Sequence, residues 1–554
     1  MTRARPLALY VLAALTLGLV LAGAPQSANA GTPVPISGAG SSWSANAIDQ
    51  WRRNVNQFGL RVNFVSTGSS DGRNSFKNNT VDYAVSEIPY GLNDNGVADP
   101  PPSRGFAYMP IVAGGTSFMY NLKAAGKRIT NLRMSGDLLT KIFTGVISRW
   151  DDAAVKAENP GLALPARPIV PVVRSDGSGT SAQFTLWMSK QHPDLWNAYC
   201  QKMGRAVPCG QTSNYPAKAP FLSLAGSLGV SGYVSQDKNE GTITYVEESY
   251  ALNTGFPVVK LLNKAGYYVP PDGRNVAVAL LGATINADLT QNLVGVYDNP
   301  DKRAYPLSSY SYMIVPTKIE GPINANKGYT LGKFAKYFLC EGQNSALELG
   351  YSPLPKNLVQ AGLDVVKRIP GIDLADADIT KSCDNKTFSV PGGIAKTAPF
   401  PPECDKRGGP TQCTTGTGGA AKTPTPPKTG GSTGGTTGGT GGATPGGAAA
   451  GGPAPTPLPG TAPNPAGGIP TPGIVPGIVP GTTTAVDPDT GLPLPAANTA
   501  NTGDVAAVPT AIGGGTGSGF STVLVFLAGM LFCGLVIGPP LAARRLAAQR
   551  DEAP

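Results

Sequence analysis

From Thr414 to Gly519 this chain cannot build a hydrophobic core. Of those 106 residues 28 are Gly and 18 are Pro, five are charged and none is aromatic. Such a stretch buries too little apolar surface to offset the entropy of ordering it. It has no strict Gly-X-Y period, so a collagen helix is excluded. The fold must come from the rest of the 554 residues, and residues 31–413 have the composition for it. At roughly 380 residues they suffice for two domains with their own cores. Residues 414–519 read as a disordered tether. Its reach is about 57 Å as a flexible coil and roughly 330 Å if extended as polyproline II.

The two ends indicate export and anchoring. Arg3 and Arg5 precede an apolar run from Leu7 to Ala22, and Ala28-Asn29-Ala30 is a small-x-small cleavage site. Residues 1–30 therefore read as a secretory signal. No Cys lies near the end of that run, so a lipid anchor is not expected there. Phe520 to Ala543 is uncharged, mostly apolar and long enough to span a bilayer. Arg544, Arg545 and Arg550 follow, which places residues 544–554 in the cytoplasm and everything before Phe520 outside. Leu458 to Ala462 resembles a sortase pentapeptide, but it lies far upstream of the apolar segment. The expected location is the cell membrane, with one pass and an extracytoplasmic folded region.

Cysteine usage fits an oxidising compartment. Cys533 falls in the apolar segment. Sequence proximity pairs the other six as Cys200–Cys209, Cys340–Cys383 and Cys404–Cys413, out of fifteen possible connectivities. With one His and no Cys-x-x-Cys pair, neither a metal nor another cofactor is expected. The net charge of +9 falls to +6 once five Arg and two acids of the signal and cytoplasmic tail are removed. That suits an anionic ligand. No basic block of the nucleic-acid kind is present.

A single pattern recurs within the folded region. Pro35 to Trp43 is an apolar run with a Gly/Ser loop, followed by a helical stretch through Asn56. Leu60 to Val65 is a strand, Ser66 to Gly72 a loop, and a helix begins near Arg73. Ile169 to Val173 is a strand, Arg174 to Thr180 a loop, and Phe184, Trp187 and Met188 then stand at helical spacing. Strand, loop and helix in alternation predict an α/β fold with largely parallel sheets. Each loop sets hydroxyls and free N–H groups at a helix N-terminus, where the dipole also favours negative charge. Arg174 adds a planar fork suited to an oxyanion, and Asp176 is placed to fix it.

Val81 to Glu87 reads as a strand ending in an acid. A carboxylate beside an anion site is explicable if the anion carries a proton. Near neutral pH phosphate does and sulfate does not. Glu87 would accept the phosphate O–H and repel sulfate, and a buried acceptor left unpaired costs about 1–3 kcal/mol. Gly68 to Gly72 also fits the Gly-x-Ser-x-Gly nucleophile elbow, for which His192 would be the only base. His192 reads as an exposed helix end, and the chain is not expected to be an enzyme.

At these residues the sequence resembles the phosphate-binding proteins of Pst-type ABC importers. Gly38-Ala-Gly-Ser-Ser-Trp43 matches the family's first phosphate loop, Thr67 to Gly72 the second, Asp82 to Glu87 its Asp-Phe-x-x-Ser-Asp strand, and Arg174 to Thr180 its signature loop unchanged. The resemblance implies a two-lobed periplasmic-binding-protein fold of type II with the ligand in the interlobe cleft. It implies that Ser41, Ser42 and Trp43 offer backbone N–H groups and a hydroxyl, and Ser69 its hydroxyl and N–H. Arg174, held by Asp176, makes the charged contact. Ser178, Gly179 and Thr180 bind at their helix start, and Glu87 accepts the proton. Inorganic phosphate and the phosphate ABC permease subunits are the implied partners. Glu87 and Trp43 stand where the family usually has Asp and Phe, and residues 226–231 look like an insertion.

Thr116 to Leu122 and Tyr305 to Val315 are apolar runs placed to cross between lobes. One lobe would be about 33–114 plus 305–413, the other 115–304. Phosphate capture for import is the function this reading supports. Its competitors are a binder of another oxyanion and an adhesion or wall-interaction protein reusing the fold.

Overall fold

The computed structural model describes residues 31–94, 96–372, 382–409 and 411–425. The expected signal at 1–30, most of the expected tether and the expected membrane span at 520–543 lie outside the described residues. Among the described residues no helix is long and apolar enough to cross a membrane.

Eight strands form one sheet: β1 (Ile36–Gly40), β2 (Val62–Val65), β3 (Tyr83–Ser86), β4 (Phe106–Tyr120), β5 (Val170–Arg174), β6 (Leu222–Leu224), β7 (Thr242–Glu247) and β8 (Ser308–Pro316). Their order is β6-β5-β7-β4-β8-β3-β1-β2. The outer strands form two parallel wings, β2-β1-β3 and β6-β5-β7. Antiparallel β4 and β8 join them at the centre. The α/β class and the parallel sheets are as the alternation predicted.

This arrangement aims the wings at each other. β3 and β4 both run antiparallel to β8, so the first wing points along β4. β7 runs antiparallel to β4, so the second wing points back. The carboxyl ends of both wings therefore meet at mid-sheet, where open α/β sheets bind ligands. β4 does the bridging. Its residues 106–115 pair with β8 and its residues 116–120 with β7, so the crossing begins ten residues earlier than the apolar run at Thr116 indicated.

Helices cover the wings for the reason their periodicity gave. In α3 (Gly179–Gln191) the side chains of Phe184, Trp187 and Met188 are all buried. Phe184 meets Phe118, Phe143 and Tyr245, each at a ring separation of 5.2 Å. In the first wing, Trp51 of α1 (Ala45–Asn56) stacks on Phe338 at 5.1 Å. The three disulfides pair as proximity indicated: Cys200–Cys209, Cys340–Cys383 and Cys404–Cys413.

The end of the fold differs from expectation. Residues 404–413 belong with the second wing, although the reading assigned them to the first lobe. Asp405 forms a buried ion pair with Lys260 at 2.7 Å. The carbonyls of Cys404 and Cys413 accept from Arg133 (2.8 Å) and Asn131 (2.5 Å). The fold also continues past Thr414. Thr417 Oγ1 accepts from the Val258 N–H, and Thr425 Oγ1 from the Thr130 N–H. Composition missed this because the docking uses threonine hydroxyls and main chain, with no apolar periodicity to mark it. Residues 31–425 contain every described core residue and all three disulfides, so this portion has what independent folding requires.

Candidate anion-binding site

Glu87 follows β3 at mid-sheet and is 1% exposed. A buried carboxylate must be paired or hydrogen-bonded, and three hydroxyls meet this one. Ser41 Oγ donates to Oε1 at 2.5 Å, Ser311 Oγ to the same oxygen, and Ser69 Oγ to Oε2 at 2.8 Å. A carboxylate has about four lone-pair sites. The one left is on Oε2, the oxygen nearest Gly179 at the start of α3. A Cβ built on Gly179 would lie 2.0 Å from Glu87 Oε2 and 2.4 Å from Ser69 Oγ. The positive end of that helix thus abuts the acid.

The second wing supplies the cation. Arg174, at the end of β5, is 3% exposed. Its Nε donates to Asp176 Oδ1 at 2.7 Å and its Nη2 to Oδ2, a bidentate grip. Gly226 N–H donates to the same carboxylate. Burial alone would raise the Asp176 carboxyl, but the Arg174 hydrogen bonds and charge outweigh it and hold it below the ordinary aspartate value. The sign follows: this pair adds stability above the ordinary aspartate range, lost as pH falls through the lowered value.

Several contacts join the wings. Arg174 Nη1 donates to Ser227 Oγ (3.3 Å), which lies 2.9 Å from Ser42 Oγ. Ser70 N–H donates to Gly177 O at 3.0 Å. Tyr250 O–H donates to Ser42 O at 2.5 Å. Gly68 caps α2 (Ser69–Lys77) with φ +101°, a left-handed-side conformation, and a Cβ there would lie 2.5 Å from Asp176 Oδ2. Glycine is required there by conformation and by close approach.

All ten expected site residues gather at this junction, with a correction to their roles. The N–H of Ser41 is spent on Val85 O and that of Trp43 on Ser41 Oγ. Of Ser41, Ser42 and Trp43, only Ser42 has an N–H without a partner among the described residues. The Trp43 ring points into the core, 5.8 Å from Tyr351. Ser178 caps α3 by accepting from Ser181 N–H. Gly179 and Thr180 hold the first N–H groups of α3, which have no intrahelical partner, and the buried Thr180 Oγ1 has none either. The junction therefore offers unpaired donors and one guanidinium, walled by two carboxylates. Its charged side chains sum to a negative balance. An anion must be held here by directed donors and helix dipoles, and one able to donate a proton suits the spare lone pair of Glu87.

A family model described as a PBP superfamily domain matches residues 22–341. Phosphate-binding protein PstS of Xylella fastidiosa strain Temecula1 is 35% identical over 349 residues, covering 61% of this chain and 88% of that protein. The chain belongs to the PstS family of the PBP superfamily. Phosphate-binding protein PstS of Methanocaldococcus jannaschii is 29% identical over 377 residues, covering 64% and 91%. A solved structure of a phosphate-binding protein from Stenotrophomonas maltophilia covers 60% of this chain and 93% of that one, at 18% identity and a TM-score of 0.44.

This PstS-family chain carries site residues that its sequence alone did not mark. Ser227 lies at the start of α4 (Gly226–Val234), inside what read as an insertion. Its position makes that departure a feature of the junction. Ser311 lies on β8, where alternating serines in an apolar run were the available signal. Tyr250 and Gln183, which donates to Glu87 O at 2.7 Å, carried none. The nucleophile-elbow reading also resolves. The serine at the centre of that motif is Ser70, whose N–H donates to Gly177 beside the start of α3, whereas His192 caps the C-terminus of that helix, roughly 20 Å away by helix rise. His192 packs edge-on against Trp187 instead. Ser70 has no base.

Proposed function

We propose that this chain captures inorganic phosphate outside the cell membrane and delivers it to an ABC-type import permease. The observation that carries the reading is Glu87, with three lone-pair sites filled by hydroxyls and the fourth turned toward the start of α3. An oxyanion between Arg174, Ser42 and the N-terminus of α3 would have to donate a proton to that site. Hydrogen phosphate has one and sulfate has none. Ser41, Ser69 and Asp176 act as positioning residues, while Ser42, Arg174, Ser178, Gly179 and Thr180 supply the contacts. The relatives, named as phosphate-binding proteins, support the ligand class, and the resemblance to Pst-type importers motivates the permease as recipient. Anchoring completes the proposal: the signal at 1–30 is removed, residues 520–543 span the membrane, and residues 544–554 are cytoplasmic. With residues 414–425 docked, the tether begins at about residue 426.

Glu87→Gln tests the reading. Gln keeps one acceptor oxygen for Ser41 and Ser311 but replaces Oε2 by a donor. Phosphate affinity should fall roughly tenfold to a hundredfold, the scale of one unpaired buried polar group, and sulfate should become measurable. Arsenate, which carries the same proton, should follow phosphate. Continued exclusion of sulfate by this variant, measured by calorimetry, contradicts the assigned role.

A further inference from the structure

Asp94 lies on a short hairpin of the first wing, where Asn93–Asp94 pairs with Val97–Ala98 in the connection between β3 and β4. Every partner its carboxylate has among the described residues is on the second wing. Oδ1 accepts from Arg205 Nη2. Oδ2 accepts from Thr212 Oγ1 at 2.7 Å and from the Ser213 N–H at 3.2 Å. The side chains of Asp94 and Arg205 are 17% and 15% exposed. A fully exposed ion pair would do little to hold two surfaces together. This one is largely buried, and two neutral donors share the carboxylate.

The socket for Asp94 is built within the second wing. Cys200–Cys209 closes a loop that carries Arg205, and the Arg205 N–H donates to Cys200 O at 2.9 Å. Arg205 Nη2 also donates to Thr212 Oγ1 at 3.2 Å, which steadies the guanidinium from its own side. Thr212 is tied to α3 through Thr185. Its N–H donates to Thr185 Oγ1, and that hydroxyl donates to Thr212 O, both at 2.9 Å. Donors held in this way need little ordering when the carboxylate docks. Ser213 connects the socket to the anion site. Its N–H meets Asp94, and its carbonyl accepts at 2.9 Å from the N–H of Ser178, which caps α3. Its Oγ accepts from Ser70 Oγ of the first wing at 3.1 Å.

We propose, on the reading of the junction as a phosphate site, that Asp94 is a clasp that holds the wings closed and sets how long the anion is retained. Asp94 is a positioning residue with no ligand contact. It stabilises the closed state, and apparent affinity follows the population of the state competent to hold the ligand. The anion leaves when the wings part, so the clasp slows release. The open form admits the anion with Asp94 undocked, so association does not depend on it.

Release of labelled inorganic phosphate from residues 31–425 into excess unlabelled phosphate tests this, with calorimetry for the equilibrium. Asp94→Ala should release phosphate roughly tenfold faster and bind it roughly tenfold more weakly, the scale of one partly exposed charge-assisted hydrogen bond. Its association rate should match wild type. Arsenate should weaken by the same factor and sulfate should stay excluded, because Glu87 is untouched. Asp94→Asn keeps an acceptor for Thr212 and Ser213 and should fall between Asp94→Ala and wild type. Arg205→Gln should weaken the wild type but add nothing to Asp94→Ala, since the two act through one contact. Unfolding curves matching wild type establish that each variant is folded. A wild type that binds no phosphate overturns the functional reading and the clasp with it. A wild type that binds, beside an Asp94→Ala variant that releases at the wild-type rate, overturns the clasp alone. So does unequal weakening of phosphate and arsenate, or an Arg205→Gln loss that persists in full without Asp94.

Discussion

Replacing Arg174 by Met should weaken phosphate binding by roughly 10²- to 10³-fold, the range for truncating one partner of a buried, hydrogen-bonded charge pair. Three losses combine. The ligand loses the Arg174 guanidinium. Asp176, whose carboxylate accepts both Arg174 contacts, is left with the Gly226 N–H as its remaining partner among those described. Ser227 loses its link from Arg174 toward Ser42. Arg174→Lys should recover little, because an ammonium cannot grip Asp176 with a fork and reach Ser227 as well. Asp176→Asn added to Arg174→Met should restore stability without restoring affinity, since it removes the stranded charge and not the missing contact. Calorimetry and urea unfolding of the three variants separate these outcomes. An Arg174→Met protein that binds phosphate like wild type contradicts the assignment.

Gly179→Ala should abolish phosphate binding while leaving the fold intact. Alanine is the better helix former by up to about 1 kcal/mol, so neither wing is weakened by itself. The added methyl would lie 2.0 Å from Glu87 Oε2 and 2.4 Å from Ser69 Oγ, both on the first wing. The wings cannot approach to the observed distance with that carbon between them. The variant should remain open by small-angle scattering at phosphate concentrations that close the wild type. Glu87→Asp offers a rescue. Shortening the acid by one methylene withdraws its oxygens, and the double variant should regain measurable binding. Absence of rescue together with disturbed unfolding would instead indicate damage to α3.

Much of this site was legible because its ligands stand in short loops. Arg174 to Thr180 places guanidinium, carboxylate, cap and free N–H groups within seven residues, and strand-to-helix geometry sets their directions. The same holds for Ser69 at the start of α2. Ser227, Tyr250 and Ser311 were not legible. Each acts through a partner tens to hundreds of residues away, and a single Ser or Tyr has no local pattern. The use of the Ser41 and Trp43 N–H groups was equally hidden, since a loop's own turn decides which donors remain free. In the fold, helical spacing gave α3, and proximity gave the three disulfides. The strap from Cys404 to Thr425 escaped because it is polar, Gly-rich and held by hydroxyls. Its composition matches the Gly- and Pro-rich sequence that follows, and only the partners at Thr130 and Val258 mark it as part of the fold.

The central claim is that the junction binds an oxyanion that carries a proton. Titration of residues 31–425 with phosphate and with sulfate at pH 7.5, followed by calorimetry, tests it most directly. The account predicts saturable one-to-one binding of phosphate at micromolar concentration or below and no heat from sulfate. No phosphate binding, or equal binding of the two, would contradict it.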